Sequence, residues 1–144
     1  MKRVLTIFYA DDDCDDLDTF RDVTTSLSKN IRVFTHSGSD NLLMALQNPP
    51  QPQIIFLDLN MPGKSGFDIL KELKASKKFK KIPVVIFSTA HDAQTVSKSM
   101  QMGASFYLPK SNNFEAFKKS VAFTLSINWK TFKPSPSNFL YEKQ

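Results

Sequence analysis

The feature that most constrains this chain is an alternation. Short β-branched and aromatic runs are each followed by a stretch whose apolar residues recur at helical spacing, and the unit repeats five times. The runs are Val4–Ala10 (VLTIFYA), Ile31–Thr35 (IRVFT), Ile54–Leu57, Val84–Phe87 and Phe106–Leu108. Runs this short, with little polar alternation, read as strands buried on both faces. Between them, Asp15 or Asp16 can begin a helix carrying Leu17, Phe20, Thr24 and Leu27. Gly38-Ser39 opens one through Leu42, Leu43 and Leu46, stopped by Asn48-Pro49-Pro50. Phe67, Leu70 and Leu73 mark a third, and Val96, Met100 and Met102 a fourth that closes at Gly103. Asn112-x-x-Glu115 resembles a capping box ahead of Phe117, Val121, Phe123 and Leu125.

Continuous apolar strands alternating with amphipathic helices indicate a parallel sheet covered on both faces. Right-handed crossovers then make a doubly wound α/β domain, for which the flavodoxin-like strand order 2-1-3-4-5 is among the common outcomes. The pattern occupies residues 1–128, and 144 residues suit one core. Residues 129–144 form a Pro- and Ser-containing tail too short for a second domain. Its Phe132, Phe139, Leu140 and Tyr141 are expected to fold back on the domain.

A formal charge of +5 would suggest nucleic acid, but the charge is divided. Residues 1–59 hold nine Asp/Glu against five Lys/Arg, and residues 60–144 hold fourteen Lys/Arg against five Asp/Glu. That is an acidic site on a basic body. The basic run Lys71–Lys81, with Lys77-Lys78-Phe79-Lys80-Lys81, reads as a solvated helix end and loop, since its aromatic is not interleaved as a stacking surface. No nucleic-acid or membrane partner is expected. Met1-Lys2-Arg3 and the apolar run after it mimic a secretory leader, yet the run ends in three aspartates without a cleavage site. The single cysteine, Cys14, excludes an internal disulfide framework and reads as helix-start filler. A cytoplasmic location is expected.

Ligands of an open parallel sheet bind beyond the carboxyl ends of its strands. The residues there are Asp11-Asp12-Asp13, Asp58, Ser88-Thr89 and Pro109-Lys110. Carboxylates crowded together repel and raise one another's pKa, which a hard divalent cation relieves. Oxygen donors without a His or Cys cluster favour Mg²⁺ over Zn²⁺. Asp13, Asp15, Asp16 and Asp18 read instead as caps and dipole partners of the first helix. An EF-hand register through Asp11, Asp13, Asp15 and Asp22 fails, because Asp16 stands where that loop needs Gly and a strand precedes it.

In the segments IFYADDD, IIFLDLNMPGKSGFDIL, IPVVIFSTA and GASFYLPK the chain closely resembles the response regulator receiver domain, the CheY-like phosphoacceptor of two-component signalling. The resemblance implies the 2-1-3-4-5 order and the following roles. Asp58 is the phosphoacceptor. Asp12 binds Mg²⁺ directly, Asp11 supports it, and Asn60 adds its backbone carbonyl. Ser88 is the switch hydroxyl, Lys110 contacts the phosphoryl oxygens, and Tyr107 is the aromatic whose rotamer reports the state. The chain departs from the family pattern at Ser88, where Thr is commoner, at Thr89, where Ala or Gly is usual, and at Cys14, where Pro is frequent. Ser111 stands in place of a proline that usually follows a cis bond, so the isomer of Lys110–Ser111 is left open.

The expected function is a stand-alone receiver, phosphorylated on Asp58 by a histidine kinase or histidine phosphotransfer protein. It would signal by contact with an unknown downstream protein, as a monomer or a phosphorylation-dependent dimer. It would catalyse only its own modification and would not be a dedicated enzyme. One alternative is a pseudo-receiver that keeps the fold as an interaction module. Another is an aspartyl-phosphate phosphatase, which wants an acid where Asn60 stands.

Overall fold

The computed structural model describes residues 4–142, so the charged start Met1–Arg3 lies outside the described residues. Among the described residues ten elements alternate. They are β1 (Leu5–Asp11), α1 (Cys14–Leu27), β2 (Ile31–Ser37), α2 (Ser39–Ala45), β3 (Ile54–Leu57), α3 (Gly66–Ala75), β4 (Val84–Ser88), α4 (Ala93–Gln101), β5 (Phe106–Pro109) and α5 (Phe114–Ser126). The strands form one parallel sheet in the order β2-β1-β3-β4-β5. The doubly wound expectation holds.

The two-residue period of a strand explains how uniformly apolar runs serve two cores. Phe8, Ala10, Ile55, Leu57, Val84, Ile86 and Tyr107 face one side, where Leu42, Ile69, Leu70 and Leu73 from α2 and α3 meet them. Ile7, Tyr9, Ile54, Phe56, Val85, Phe87, Phe106 and Leu108 face the other, against Leu17, Phe20 and Val23 of α1 and Phe117 and Val121 of α5. Phe20 stands at the centre of the second core. Its ring lies 4.7 Å from Tyr9, 4.8 Å from Phe56 and 6.4 Å from Phe117 between centroids.

Several boundaries differ from the sequence expectation, each for a local reason. Helix α1 begins at Cys14 because the Asp13 carboxylate accepts from the Asp15 and Asp16 N–H groups, making Asp13 the cap. Helix α5 is capped by Asn113, whose side chain accepts from the Ala116 N–H, and not by Asn112. Phe123 is 42% exposed, at the rim of the core rather than within it. The end of α4 agrees with expectation: Gly103 follows it with φ of 99°, the left-handed conformation that ends a helix. Among the described residues the cis peptide is Pro49–Pro50, so Lys110–Ser111 is trans.

The tail folds back, as its aromatics suggest. Phe139 is buried in the first core, 6.3 Å from the Tyr107 ring, and Phe132 packs on Phe106 at 6.1 Å. Its backbone joins the edge of β5: the Tyr107 N–H donates to the Phe139 carbonyl, and the Tyr141 N–H donates to the Tyr107 carbonyl, both at 2.9 Å. Phe79 packs on the first core while Lys77, Lys78, Lys80 and Lys81 point to solvent. No helix among the described residues is long and apolar enough to cross a membrane.

Candidate functional site

Parallel strands carry their C-terminal residues to one edge of the sheet, and the register places Asp11 and Asp58 at the ends of the paired strands β1 and β3. The Asp58 N–H donates to the Ala10 carbonyl at 3.1 Å, which ties the base of the Asp58 loop to β1. The loop then closes through Gly66, whose N–H donates to the Leu59 carbonyl at 2.9 Å. A Cβ on Gly66 would stand 2.3 Å from the Asp58 carbonyl oxygen and 2.7 Å from the Leu59 Cα, so only glycine allows this approach. Ser65 caps α3 in a reciprocal box with Asp68 and fixes the far end of the loop.

Asp11, Asp12 and Asp58 each present a carboxylate oxygen, and these oxygens lie within 4.8 Å of one another. Asp11 and Asp58 are buried, while Asp12 is exposed at the mouth. Asn60 lies two residues beyond Asp58, on the exposed part of the loop. The ammonium of Lys110, whose side chain is only 11% exposed, reaches in from the end of β5. It stands 2.7 Å from Asp11 Oδ2, 2.8 Å from Asp16 Oδ2 and 3.7 Å from Asp58 Oδ1. Its Nζ also lies 5.5 Å from the centre of the Phe87 ring.

The titration of these groups follows from their neighbours. Burial and the nearby Asp11 carboxylate push Asp58 up to about 7, against the opposing pull of Lys110. Burial would also raise Asp11, but hydrogen bonds from Lys110, the Tyr9 hydroxyl and the Asp13 N–H hold it below the usual carboxylate range. Burial would lower Lys110, but its bonds to Asp11 and Asp16 and the Asp58 charge hold it above its ordinary value. The result is a fixed cation beside two carboxylates of opposite tendency.

Ser88 ends β4 fully buried, and its Oγ accepts from the Ala90 N–H at 3.2 Å. The Ser88 carbonyl accepts from the Lys110 N–H at 2.9 Å, which joins the ends of β4 and β5. Tyr107 is buried, and its hydroxyl donates to the Ala90 carbonyl. Thr89 between them is exposed. The residues named from sequence therefore gather at one edge: Asp11, Asp12, Asp58 and Lys110 around one space, with Ser88 and Tyr107 joined to them through the loop after β4.

Three residues escaped the sequence reading. Tyr9 donates to Asp11 from inside the sheet. Gly66 permits the tight loop. Asp16, expected to serve the helix dipole, does stand in the first turn of α1 and in addition pairs with Lys110. The signal for Asp16 was its place in the first turn of α1, which the topology sets on the same edge.

The donor set suits a hard divalent cation. Three carboxylate oxygens converge within 4.8 Å of one another, and burial, together with the Asp11 charge, raises the Asp58 carboxyl. Comparison with known proteins bears on the family and the fold. Residues 7–122 match the response regulator receiver domain family. Response regulator Rcp1 of Synechocystis sp. is 40% identical over 75 residues, which cover 52% of this chain and 51% of that protein. Two-component response regulator ORR11 of Oryza sativa subsp. indica is 35% identical over 83 residues, 58% of this chain and 56% of that one. These matched segments span little more than half the length of either relative. Among solved structures, the Mn²⁺-bound form of Rcp1 superposes with a TM-score of 0.75 at 29% identity, covering 91% of this chain and 99% of its own. The phosphorylated cyanobacterial phytochrome response regulator RcpA gives 0.78 at 24% identity, over 92% and 99%, and bears on the fold alone.

Proposed function

The chain belongs to the response regulator receiver domain family, and from that premise we propose that it accepts a phosphoryl group on Asp58 from a histidine kinase or histidine phosphotransfer protein. The observation that carries this reading is the placement of Lys110 Nζ 3.7 Å from Asp58 Oδ1, beside the Asp11–Asp12–Asp58 carboxylate cluster. A buried carboxylate beside a fixed ammonium, with two further acids that would hold a divalent cation, is arranged to receive a group with anionic oxygens once that cation offsets the negative charge.

Asp11, Asp12, Asp58 and the Asn60 carbonyl are the residues that would hold Mg²⁺. The ion supplies neutralisation of phosphoryl charge. The chain's own groups do the rest. A carboxylate oxygen of Asp58 attacks phosphorus in line; the new P–O bond forms as the P–N bond to the donor histidine breaks, and the imidazole leaves with its electron pair. Lys110 donates to a phosphoryl oxygen. Ser88 then reorients its hydroxyl toward another phosphoryl oxygen, giving up its bond with the Ala90 N–H. Ala90 also accepts from the Tyr107 hydroxyl, so the move is felt at Tyr107 and along β5.

Such a protein is acted upon and catalyses only its own modification. Its output is contact with a downstream protein, as monomer or phosphorylation-dependent dimer, in the cytoplasm. Incubation with Mg²⁺ and a small phosphodonor, read by intact mass, tests the reading. One phosphoryl group is expected, removed by hydroxylamine, and absent with a chelator or in Asp58→Asn. A protein that stays unmodified is a pseudo-receiver, and modification that survives Asp58→Asn contradicts the site.

A further inference from the structure

We propose that Asp16 is a positioning residue that holds the Lys110 ammonium at the phosphoryl site when Asp11 turns its charge to the metal, an inference that rests on the reading of Asp58 as phosphoacceptor. A lysine has three N–H donors. Two of them are engaged at hydrogen-bond length, with Asp11 at 2.7 Å and Asp16 at 2.8 Å, while Asp58 at 3.7 Å lies beyond it. Asp11 serves several partners at once. It also accepts from the Tyr9 hydroxyl and the Asp13 N–H, and it belongs to the cluster that suits a cation.

A divalent ion among those carboxylates would weaken the hold of Asp11 on Lys110 and repel the ammonium. Asp16 lies outside the cluster. Among the described residues its carboxylate makes no hydrogen bond but the one from Lys110. Its side chain is 37% exposed, so holding Lys110 does not require it to be stripped of solvent. Its own backbone is fixed, because the Asp16 N–H donates to the Asp13 cap at 3.3 Å.

Lys110 needs such a hold. Its N–H is bound to the Ser88 carbonyl at 2.9 Å, but its side chain is long and flexible, and the next residue is Ser111, not proline. The Phe87 ring lies within cation–π range and attracts the ammonium from one side only. Asp16 supplies a lasting second anchor and leaves the remaining donors for phosphoryl oxygens. The helix start does not depend on it, since Asp13 is the cap and Asp15 also stands in the first turn.

The test uses the full chain with Asp16→Asn and Asp16→Glu. Three quantities are measured: the rate constant for phosphorylation by a small donor at saturating Mg²⁺, the Mg²⁺ affinity of the unphosphorylated protein by calorimetry, and Tm. Asp16→Asn is expected to slow phosphorylation about tenfold, short of the ~100-fold that a 1 Å misplacement can cost. Its Mg²⁺ affinity stays within about threefold of wild type, as for a charge outside the coordinating set, and its Tm is unchanged. Asp16→Glu, which keeps the charge, recovers most of the rate. The inference is overturned if Asp16→Asn matches the wild-type rate, if Mg²⁺ affinity falls in step with the rate, or if Asp16→Glu is as slow as Asp16→Asn. A wild-type protein that takes no phosphoryl group overturns the reading of Asp58, and this inference with it.

Discussion

Asp11 and Asp58 stand at the ends of adjacent strands, both buried, yet their carboxyls are pushed in opposite directions. Three donors converge on Asp11, whereas Asp58 faces Asp11 itself and a more distant Lys110. The consequence is a stability that depends on pH. In the unfolded chain Asp58 ionises near 3.8, and in the folded protein near 7. A group raised in this way leaves stability intact below its unfolded value and removes it as pH rises through the folded one. The difference between 3.8 and about 7 corresponds to at most about 4 kcal/mol. Asp58→Asn, neutral and of similar shape, is therefore expected to match the metal-free wild type near pH 4 and to exceed it in stability by pH 8. Urea denaturation across that range checks this; a gap that stays constant with pH contradicts it. The carboxylates and Lys110 were legible in the sequence because each ends a strand, and parallel strands end together. Tyr9, Gly66 and Asp16 were not. A tyrosine inside an apolar run reads as core and an aspartate in a first turn as a dipole partner, and nothing in the sequence marks the glycine on which a loop closes, until the fold brings each to its neighbour.

Elements were legible where periodicity is strong and less so at their ends. Strand β3 has sharp limits: Ile54–Leu57 is bounded by Pro52-Gln53 and Asp58, and the apolar run and the strand coincide. At α5 the sequence pattern pointed to Asn112, whereas the side chain that caps the helix is that of its neighbour Asn113. The tail is the clearest case. Its aromatics signalled that it returns to the domain, but composition carries no sign of backbone pairing, and the Tyr107–Leu140 bridge emerges only in three dimensions. That pairing covers part of the β5 edge beside Tyr107, which the proposed switch would move. Phe139 anchors it, 2% exposed among the first core's side chains. Phe139→Ala is expected to lower stability by about 3–5 kcal/mol, the range for emptying a buried aromatic site. A loss below about 1 kcal/mol in the same denaturation assay would show that the tail is not part of the core, since such small losses are typical of surface positions.

At the scale of the whole molecule the charge division acquires a structural meaning. Asp11, Asp12, Asp16 and Asp58, all from the acidic part of the sequence, meet Lys110 from the basic part at one edge of the sheet. Helix α3 runs back against the strands, so the exposed lysines of residues 77–81 come after its end and before β4 begins, at the opposite edge. A total of +5 thus conceals a site whose local charge is negative and a far end that is positive. The central claim is that Asp58 carries the phosphoryl group. Borohydride reduces an acyl phosphate to the alcohol, so treatment of the phosphorylated protein followed by peptide mass mapping reads the modified residue directly. The account predicts homoserine at position 58 and unaltered aspartate at positions 11, 12 and 16. Homoserine at any of those three positions, with position 58 intact, would contradict it.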